Sequence, residues 1–379
     1  MDFAFEQKHV RFREEIRQFA LEKLKPLAEE AEETETFPKE LWKTMGKSGY
    51  LGIRYPKKYG GMGEGMVTNC IYIEEMNKVS AGLAAGIGLM GNVATLPIYL
   101  LGNEEQKQRW LVPALRGEIV SAFGLTEPGA GSDAAGIECS ARKTGGSYVL
   151  NGTKLFITNG GYADIVIVAA KTNPQKGAKG ISLFVVEKGT PGFQGRKLKK
   201  MATRGSETAE LTFENCRVPV QNRLGEEDVG FINLMKALNE GRLACAASAL
   251  GIASAAFAEA LQFAKSRKAF GKTIGSFQGM QFCFADMSMD LEAGRLLIYN
   301  GAWKGDQGQE YTLEAAWAKL YTSEMVKRVT SKALQVFGGR GFLRDYPMER
   351  FYREAAMWEI VEGTSEIQRI IIARGLGLK

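Results

Sequence analysis

The stretch SYVLNGTKLFITNG, Ser147–Gly160, decides the fold class. Ser147–Leu150 and Lys154–Ile157 are short runs with β-branched and aromatic residues, and Asn151-Gly152 between them is the dipeptide preferred in two-residue turns with positive φ. The pattern predicts a β-hairpin. Outward from it, Ile165–Ala169 and Ile181–Val186 read as apolar strands, Glu210–Phe213 continues the pattern, and Val218-Pro219 closes it. Residues 120–225 therefore read as a compact β domain.

On both sides the periodicity changes from two to 3.6. Phe5, Val10, Phe12, Ile16, Phe19 and Ala20 fall near helical spacing, and Pro38 opens a helix to Lys47 that ends at Gly49. Tyr55–Gly63 is a loop. Helices follow at 66–80 and 82–101, the second broken near Pro97, and another starts near Glu104 and carries Trp110. Beyond Phe231 the pattern is helical again, with long apolar stripes over Leu243–Ala264, Met280–Trp303 and Leu313–Phe337 that suit a helical bundle. The fold class is mainly α with a central β domain.

Composition narrows the function. The 379 residues are 45% hydrophobic and 24% charged, with net charge +6, as in an ordinary globular chain. The densest basic run, Arg196, Lys197, Lys199 and Lys200, reads as a solvated face rather than a nucleic-acid arm. Five scattered cysteines, without a CxxC pair, fit reduced thiols in a cytoplasmic compartment, or in the mitochondrial matrix for a mature eukaryotic form. No signal peptide and no membrane span is expected. His9 is the single histidine and is placed on the surface. A Ser-His-Asp triad and a His-rich metal site are thereby set aside, so acid–base chemistry rests on carboxylates, Tyr, Lys or a cofactor.

Three segments carry candidate chemistry. FGLTEPGAGSD, Phe123–Asp133, is a turn with Pro128, Gly129 and Gly131 that brings backbone N–H groups close to a ligand. LFITN, Leu155–Asn159, puts Phe156 and Thr158 on one strand face, which by itself reads first as a strand packing Phe156 in the core and second as an aromatic ring and a hydroxyl in contact with a flat heterocycle. VEGTSEIQR, Val361–Arg369, sets Glu362 just before a helix start, where Ser365 and Gln368 have capping-box spacing and the free N–H groups attract anions.

With MATRGSETAELTFENCRVP (Met201–Pro219), RKAFGK (Arg267–Lys272) and QVFGGRGF (Gln335–Phe342), these segments resemble, in order and separation, the acyl-CoA dehydrogenase family of flavoproteins. The resemblance implies an N-terminal helical domain (1–119), a middle β-barrel (120–227) and a C-terminal four-helix bundle (228–379). It also implies bound FAD, a homotetramer, and electron-transferring flavoprotein as the electron acceptor.

Residue by residue, it implies that Leu125 and Thr126 bond the pyrimidine end of the flavin. Phe156 stands where many members place Trp, and Thr158 faces flavin N5. Arg267, Phe270 and Gln278 reach the FAD of a neighbouring subunit, Gln335 and Gly339 also contact FAD, and Thr364 and Glu366 lie by its phosphates or adenosine. Ser132 and Arg242 contact acyl-CoA, as does Asn239, which replaces a common Asp. Glu362 matches the base. The alternative base position is held by Gly241, which cannot serve.

The implied reaction removes the α-proton of an acyl thioester to Glu362 and its β-hydride to flavin N5. The thioester oxygen is stabilised by the Glu362 N–H and a ribityl hydroxyl. Near its usual pKa of ~4.3 Glu362 is a weak base. The helix start depresses that value and burial raises it, so burial is expected to win, mainly when substrate excludes water. A decarboxylating glutaryl-CoA-type dehydrogenase, an acyl-CoA oxidase and a nucleic-acid-associated flavoprotein are the alternatives on the same fold.

Overall fold

A computed structural model describes residues 4–89 and 93–378; the side chains of Leu89 and of residues 232–237 are also left aside. Met90 and Gly91, the end of the small-residue run from Ala81, lie outside the described residues.

The N-terminal part is helical: α1 Gln7–Phe19, a π-helical turn Ala20–Leu24, α2 Lys25–Thr34, α3 Glu40–Lys47, α4 Met66–Val79, α5 Ala81–Leu89, α6 Leu96–Leu101, α7 Glu104–Gln106 and α8 Val112–Leu115. The helix expected over 82–101 is thus two helices, with Pro97 in the first turn of the second, where its missing N–H costs nothing. His9 turns inward and is buried edge-on to the Phe5 ring, not on the surface as its sequence context suggests. Burial lowers its pKa.

The middle part is a mixed sheet of β1 Ser121–Gly124, β2 Ser140–Thr144, β3 Ser147–Thr158, β4 Ile165–Lys171, β5 Ile181–Glu187, β6 Phe193–Lys197, β7 Thr208–Pro219 and β8 Arg223–Leu224. The order is β6-β7-β3-β2-β4-β5-β8, with β1 parallel to β4. The hydrogen-bonded path ends at β6 and β8, so among the described residues it does not close into the expected barrel. β4 and β5 are buried on both faces, which explains their continuous apolar sequences.

The hairpin expected at Asn151-Gly152 is absent. Ser147–Thr158 is one continuous strand, and Asn151-Gly152 is a bulge where the β3–β7 register shifts. Asn151 Oδ1 accepts from Asn215 N at 2.8 Å across the bulge. The chain reverses one turn earlier, at Gly145-Gly146, where Thr144 pairs with Ser147.

The C-terminal part contains α9 Gly230–Ser266, a small hairpin of β9 Lys268–Ala269 and β10 Lys272–Thr273, α10 Gln278–Asp306, α11 Thr312–Phe337, α12 Met348–Ala355 and α13 Ser365–Gly375. Ala246, Ala249, Ala253, Ala256 and Ala260 of α9 are wholly buried. The helices approach closely enough that a Cβ on Gly251 would lie 2.4 Å from the Glu74 carbonyl of α4. Leu238–Ser266 is long and apolar enough to cross a membrane, yet two-thirds of its most apolar window is buried inside the protein, as a core helix would be.

Glu74 joins three helices: its buried carboxylate accepts from Arg13 at 3.4 Å, Arg295 at 3.0 Å and Tyr299 at 2.7 Å. Glu354 of α12 is different. It is 1% exposed and neither carboxyl oxygen has a hydrogen-bond partner. Burial raises its pKa to about 7, with Arg350 opposing and Glu32 adding.

Two predictions follow from these positions. Gly152 has φ +145°, and a Cβ there would lie 2.7 Å from Cys139 Cα. Gly152→Ala is expected to cost about 1–3 kcal/mol in urea unfolding, the usual range for backbone strain. Glu354 binds its proton more tightly folded than unfolded. Its contribution is therefore intact below the unfolded value near 4.5 and is lost as pH rises through about 7. Glu354→Gln is expected to stabilise the protein by about 3 kcal/mol at pH 8 relative to the native chain. That advantage disappears below pH ~4.5.

Candidate active site

The site is built where the turn before α13 meets the first third of α9. Glu362 and Gly363 are consecutive left-handed residues, with φ of +54° and +88°. Ser365 N donates back to Glu359 O at 3.0 Å, closing the loop. The helix is capped one residue earlier than the sequence suggests. Thr364 is the N-cap and its Oγ1 accepts from Ile367 N at 3.4 Å, so Ser365 and Gln368 do not form a capping box. Gln368 folds back instead, its Nε2 donating to Gly363 O at 2.9 Å and to Glu362 O at 3.4 Å. Lys319 of α11, fully buried, donates from Nζ to the same Gly363 carbonyl at 2.7 Å.

This turn aims Glu362 at α9. A Cβ on Gly241 would lie 2.9 Å from Glu362 Oε2 and 3.5 Å from Cδ. The oxygen is buried and has no hydrogen-bond partner. Burial raises the Glu362 pKa, against the opposing charges of Arg242 and Lys319. The protein itself therefore raises the proton affinity of Glu362. Arg242 is 7% exposed and donates to Asn239 Oδ1 at 2.5 Å, while Asn239 Nδ2 donates to Thr312 Oγ1 at 2.7 Å. Glu362, Gly241, Arg242 and Asn239 thus share one corner.

The sheet contributes a second surface. Between Lys154 and Ile157 the β3–β7 register breaks again, and Phe156 adopts φ +61° with its ring 65% exposed. The pairing resumes with Ile157 opposite Ala209, and Thr158 lies opposite Thr208. Leu125 and Thr126 are tied to this bulge: Leu155 N donates to Thr126 O at 2.8 Å, and Lys154 Nζ donates to Leu125 O at 3.0 Å. Lys154 is fully buried and paired with Glu127 at 2.6 Å, whose carboxylate also accepts from Glu138 N and Cys139 N. Beyond it the turn is closed by reciprocal Glu127–Ala130 backbone bonds, and Ser132 is exposed. A Cβ on Gly129 or Gly131 would meet nothing, so neither glycine is required by packing within this chain.

The remaining candidates lie elsewhere. Arg267 ends α9, Phe270 sits 93% exposed with φ +50° in the turn between β9 and β10, and Gln278 starts α10. Gln335 and Gly339, at the end of α11, join this group through the Phe263–Phe337 stack, centroids 4.2 Å apart. An open groove of about 900 Å³ runs alongside, lined by Met280, Gln335, Phe342 and Tyr352. Gly241 and Ser266 are separated by roughly 37 Å along α9 at 1.5 Å per residue. The two groups therefore cannot meet one small ligand within a single chain. Thr364 and Glu366 stay with the Glu362 corner.

Lys319 and Lys154 were not singled out by sequence reasoning. A signal existed for Lys319: it occupies the core stripe of α11 among Ala315, Ala316, Thr322, Ser323 and Val326, all buried.

The helical N-terminal part, the mixed sheet and the long-helix part together make a scaffold in which a buried carboxyl oxygen is set beside a helical glycine. Family models for the acyl-CoA dehydrogenase N-terminal, middle and C-terminal domains match residues 6–118, 122–216 and 228–377. A short-chain-specific acyl-CoA dehydrogenase of Clostridium acetobutylicum is 44% identical over 98% of this chain and 99% of its own. The structure of butyryl-CoA dehydrogenase from Megasphaera elsdenii superposes with a TM-score of 0.96 at 41% identity, covering 99% of this chain and all of that one. The caffeyl-CoA reductase-Etf complex subunit CarC of Acetobacterium woodii is 40% identical over 99% of both chains. The chain belongs to the acyl-CoA dehydrogenase family. It is a flavoprotein oxidoreductase acting on CH–CH groups.

Gly241→Ala is expected to fold normally and to lose at least roughly tenfold in kcat, because the new methyl group displaces the carboxylate from a packed site. Turnover measured beside a thermal melt checks this; an unchanged kcat would mean that the carboxylate does not work from this position.

Proposed function

We propose that this protein catalyses FAD-dependent α,β-dehydrogenation of an acyl-CoA thioester to the enoyl-CoA, with Glu362 as the base that removes the α-proton. The observation that carries this reading is the Glu362 carboxyl itself: buried, its Oε2 unpartnered, its pKa raised by burial, and facing a helix position with no side chain. A carboxylate held in that way is costly to the fold and suited to taking a proton. The Glu362 N–H, which has no acceptor among the described residues, is assigned to polarise the thioester oxygen. Arg242 and Asn239 on α9 and Ser132 on the sheet loop are assigned to hold acyl-CoA.

The residues fit a flavin. Phe156 presents an uncovered ring from a bulge, Thr158 follows on the same strand, and Gly129 and Gly131 leave open space beside Thr126. Leu125, Thr126, Phe156 and Thr158 would hold the isoalloxazine, with Thr364 and Glu366 toward the phosphates or adenosine. FAD, when bound, supplies the acceptor for the β-hydride. Arg267, Phe270, Gln278, Gln335 and Gly339 lie too far from Gly241 to join that site, so we assign them to the FAD of a neighbouring subunit. This implies an oligomer, with the homotetramer as the proposed state. The relative named for its Etf complex supports electron-transferring flavoprotein as acceptor. Domain limits at 119/120 and 227/228 are part of the same proposal.

The test is a panel of straight, branched, cyclic and dicarboxylic acyl-CoAs mixed with the purified yellow enzyme under anaerobic conditions. At least one is expected to bleach the flavin, and Glu362→Gln is expected to bind that ligand yet bleach at least about a hundredfold more slowly, the low end of general-base effects. Full activity in Glu362→Gln would move the base elsewhere.

A further inference from the structure

We propose that Lys319 is a positioning residue for the base: its buried ammonium fixes the Glu362–Gly363 turn through the Gly363 carbonyl, and its charge biases Glu362 toward the carboxylate. The inference rests on the reading of Glu362 as base and goes beyond it, to how this chain keeps such a base usable.

The geometry begins with the turn. Two successive left-handed residues, the first of them not glycine, are strained and persist only when their surroundings over-determine them. Here the over-determination comes from two donors on one carbonyl, Lys319 Nζ at 2.7 Å and Gln368 Nε2 at 2.9 Å. They come from different helices, α11 and α13, so the turn is clamped from both sides. A neutral donor alone suffices to satisfy a carbonyl; a lysine with no exposed surface is an expensive way to do it.

The charge explains the expense. The titratable and charged groups facing Lys319 are Cys245 and Arg242 from α9, and Glu362 and Glu359 from the segment leading into α13. Cys245 is a buried thiol whose pKa burial raises strongly, so it stays neutral. Glu359 is paired with Lys327 at 2.7 Å. Arg242 donates to Asn239, a neutral amide that leaves its charge intact. That leaves Glu362 Oε2 without a hydrogen-bond partner, under the charge of Arg242 and, second to it, that of Lys319, whose ammonium donates to a carbonyl. Burial alone drives Glu362 toward the neutral acid, which cannot accept the α-proton. Lys319 opposes that drive without contacting the carboxylate, so Oε2 stays free for the substrate.

The experiment compares Lys319→Met, Lys319→Gln and Gln368→Leu, each loaded with FAD. It reads kcat and KM across pH with the acyl-CoA that bleaches the native enzyme fastest, and the pH dependence of that ligand's binding by calorimetry. Lys319→Met removes donor and charge: kcat is expected to fall at least roughly tenfold at pH 7, and the acidic limb of the kcat profile to move up by about one pH unit. Lys319→Gln keeps a donor, so it recovers part of the rate while its limb stays shifted. Gln368→Leu removes only the neutral donor: kcat falls and the limb does not move. An unshifted limb in folded Lys319→Met and Lys319→Gln overturns the proposal. If neither Lys319 variant folds, Gln368→Leu decides, and an unchanged kcat there overturns it. Glu362→Gln separates the two levels. If it retains turnover, the base assignment itself has failed; if it is inactive while the Lys319 limbs stay put, only the role of Lys319 has.

Discussion

The Glu362 corner depends on a missing side chain at Gly241. Gly241 lies eleven residues into a 37-residue helix, where glycine costs about 1 kcal/mol relative to alanine. The rest of α9 is alanine-rich and packs against α4, α10 and α11, so the helix tolerates glycine here and again at Gly251. In exchange Glu362 Oε2 sits 2.9 Å from the point that a Cβ on residue 241 would occupy. The left-handed turn, the clamp on Gly363 and the burial of Oε2 all serve to bring the carboxyl to that gap.

The buried cations share a pattern. Lys154 donates to Leu125 O and to Glu127, and Lys319 donates to Gly363 O; in each case a cation without surface exposure ties down backbone outside any regular ladder. Loop carbonyls buried beside a site need partners, and a long flexible side chain from a neighbouring element can supply one across a gap that a backbone N–H cannot. Burying such a charge destabilises the fold unless it is compensated. For Lys154 the compensation is the Glu127 carboxylate, itself held by two backbone donors. For Lys319 it is a carbonyl at close range and the field of Glu362.

Unbroken apolar runs and long 3.6-period stripes mark the strands at Ile165 and Ile181 and the helices α10 and α11 closely, whereas α9 begins at Gly230, thirteen residues before the apolar stripe from Leu243. Sequence reading failed where one local signal serves two geometries. Asn151-Gly152 suits a hairpin turn and equally a bulge. The decision is made by β7, which pairs with both halves of β3, and by Gly145-Gly146, which had already reversed the chain. Ser365 and Gln368 have capping-box spacing, but Thr364 takes the cap and Gln368 is drawn back to a carbonyl five residues earlier. His9 looked exposed among charged neighbours and is buried by a helix face that only tertiary packing selects. The segment around Glu362 is distinctive in sequence, whereas Lys319 is an ordinary letter in a helix, and its contact with the Gly363 carbonyl follows only from what the fold places opposite it.

The length of α9 also constrains assembly. One end holds Asn239, Gly241 and Arg242; the other holds Arg267 and the exposed Phe270. A rigid helix that long cannot fold its two ends onto one dinucleotide. Phe270 stands almost fully exposed in a left-handed turn, with the Phe277 ring edge-on beside it. The groove beside it, floored by Met280 and Gln335 and walled by the exposed Phe342 and Tyr352, presents apolar surface of the kind that a second protein face covers. If the two ends of α9 serve the same cofactor, they must do so in different copies, and cofactor binding and subunit association then stabilise each other by mass action.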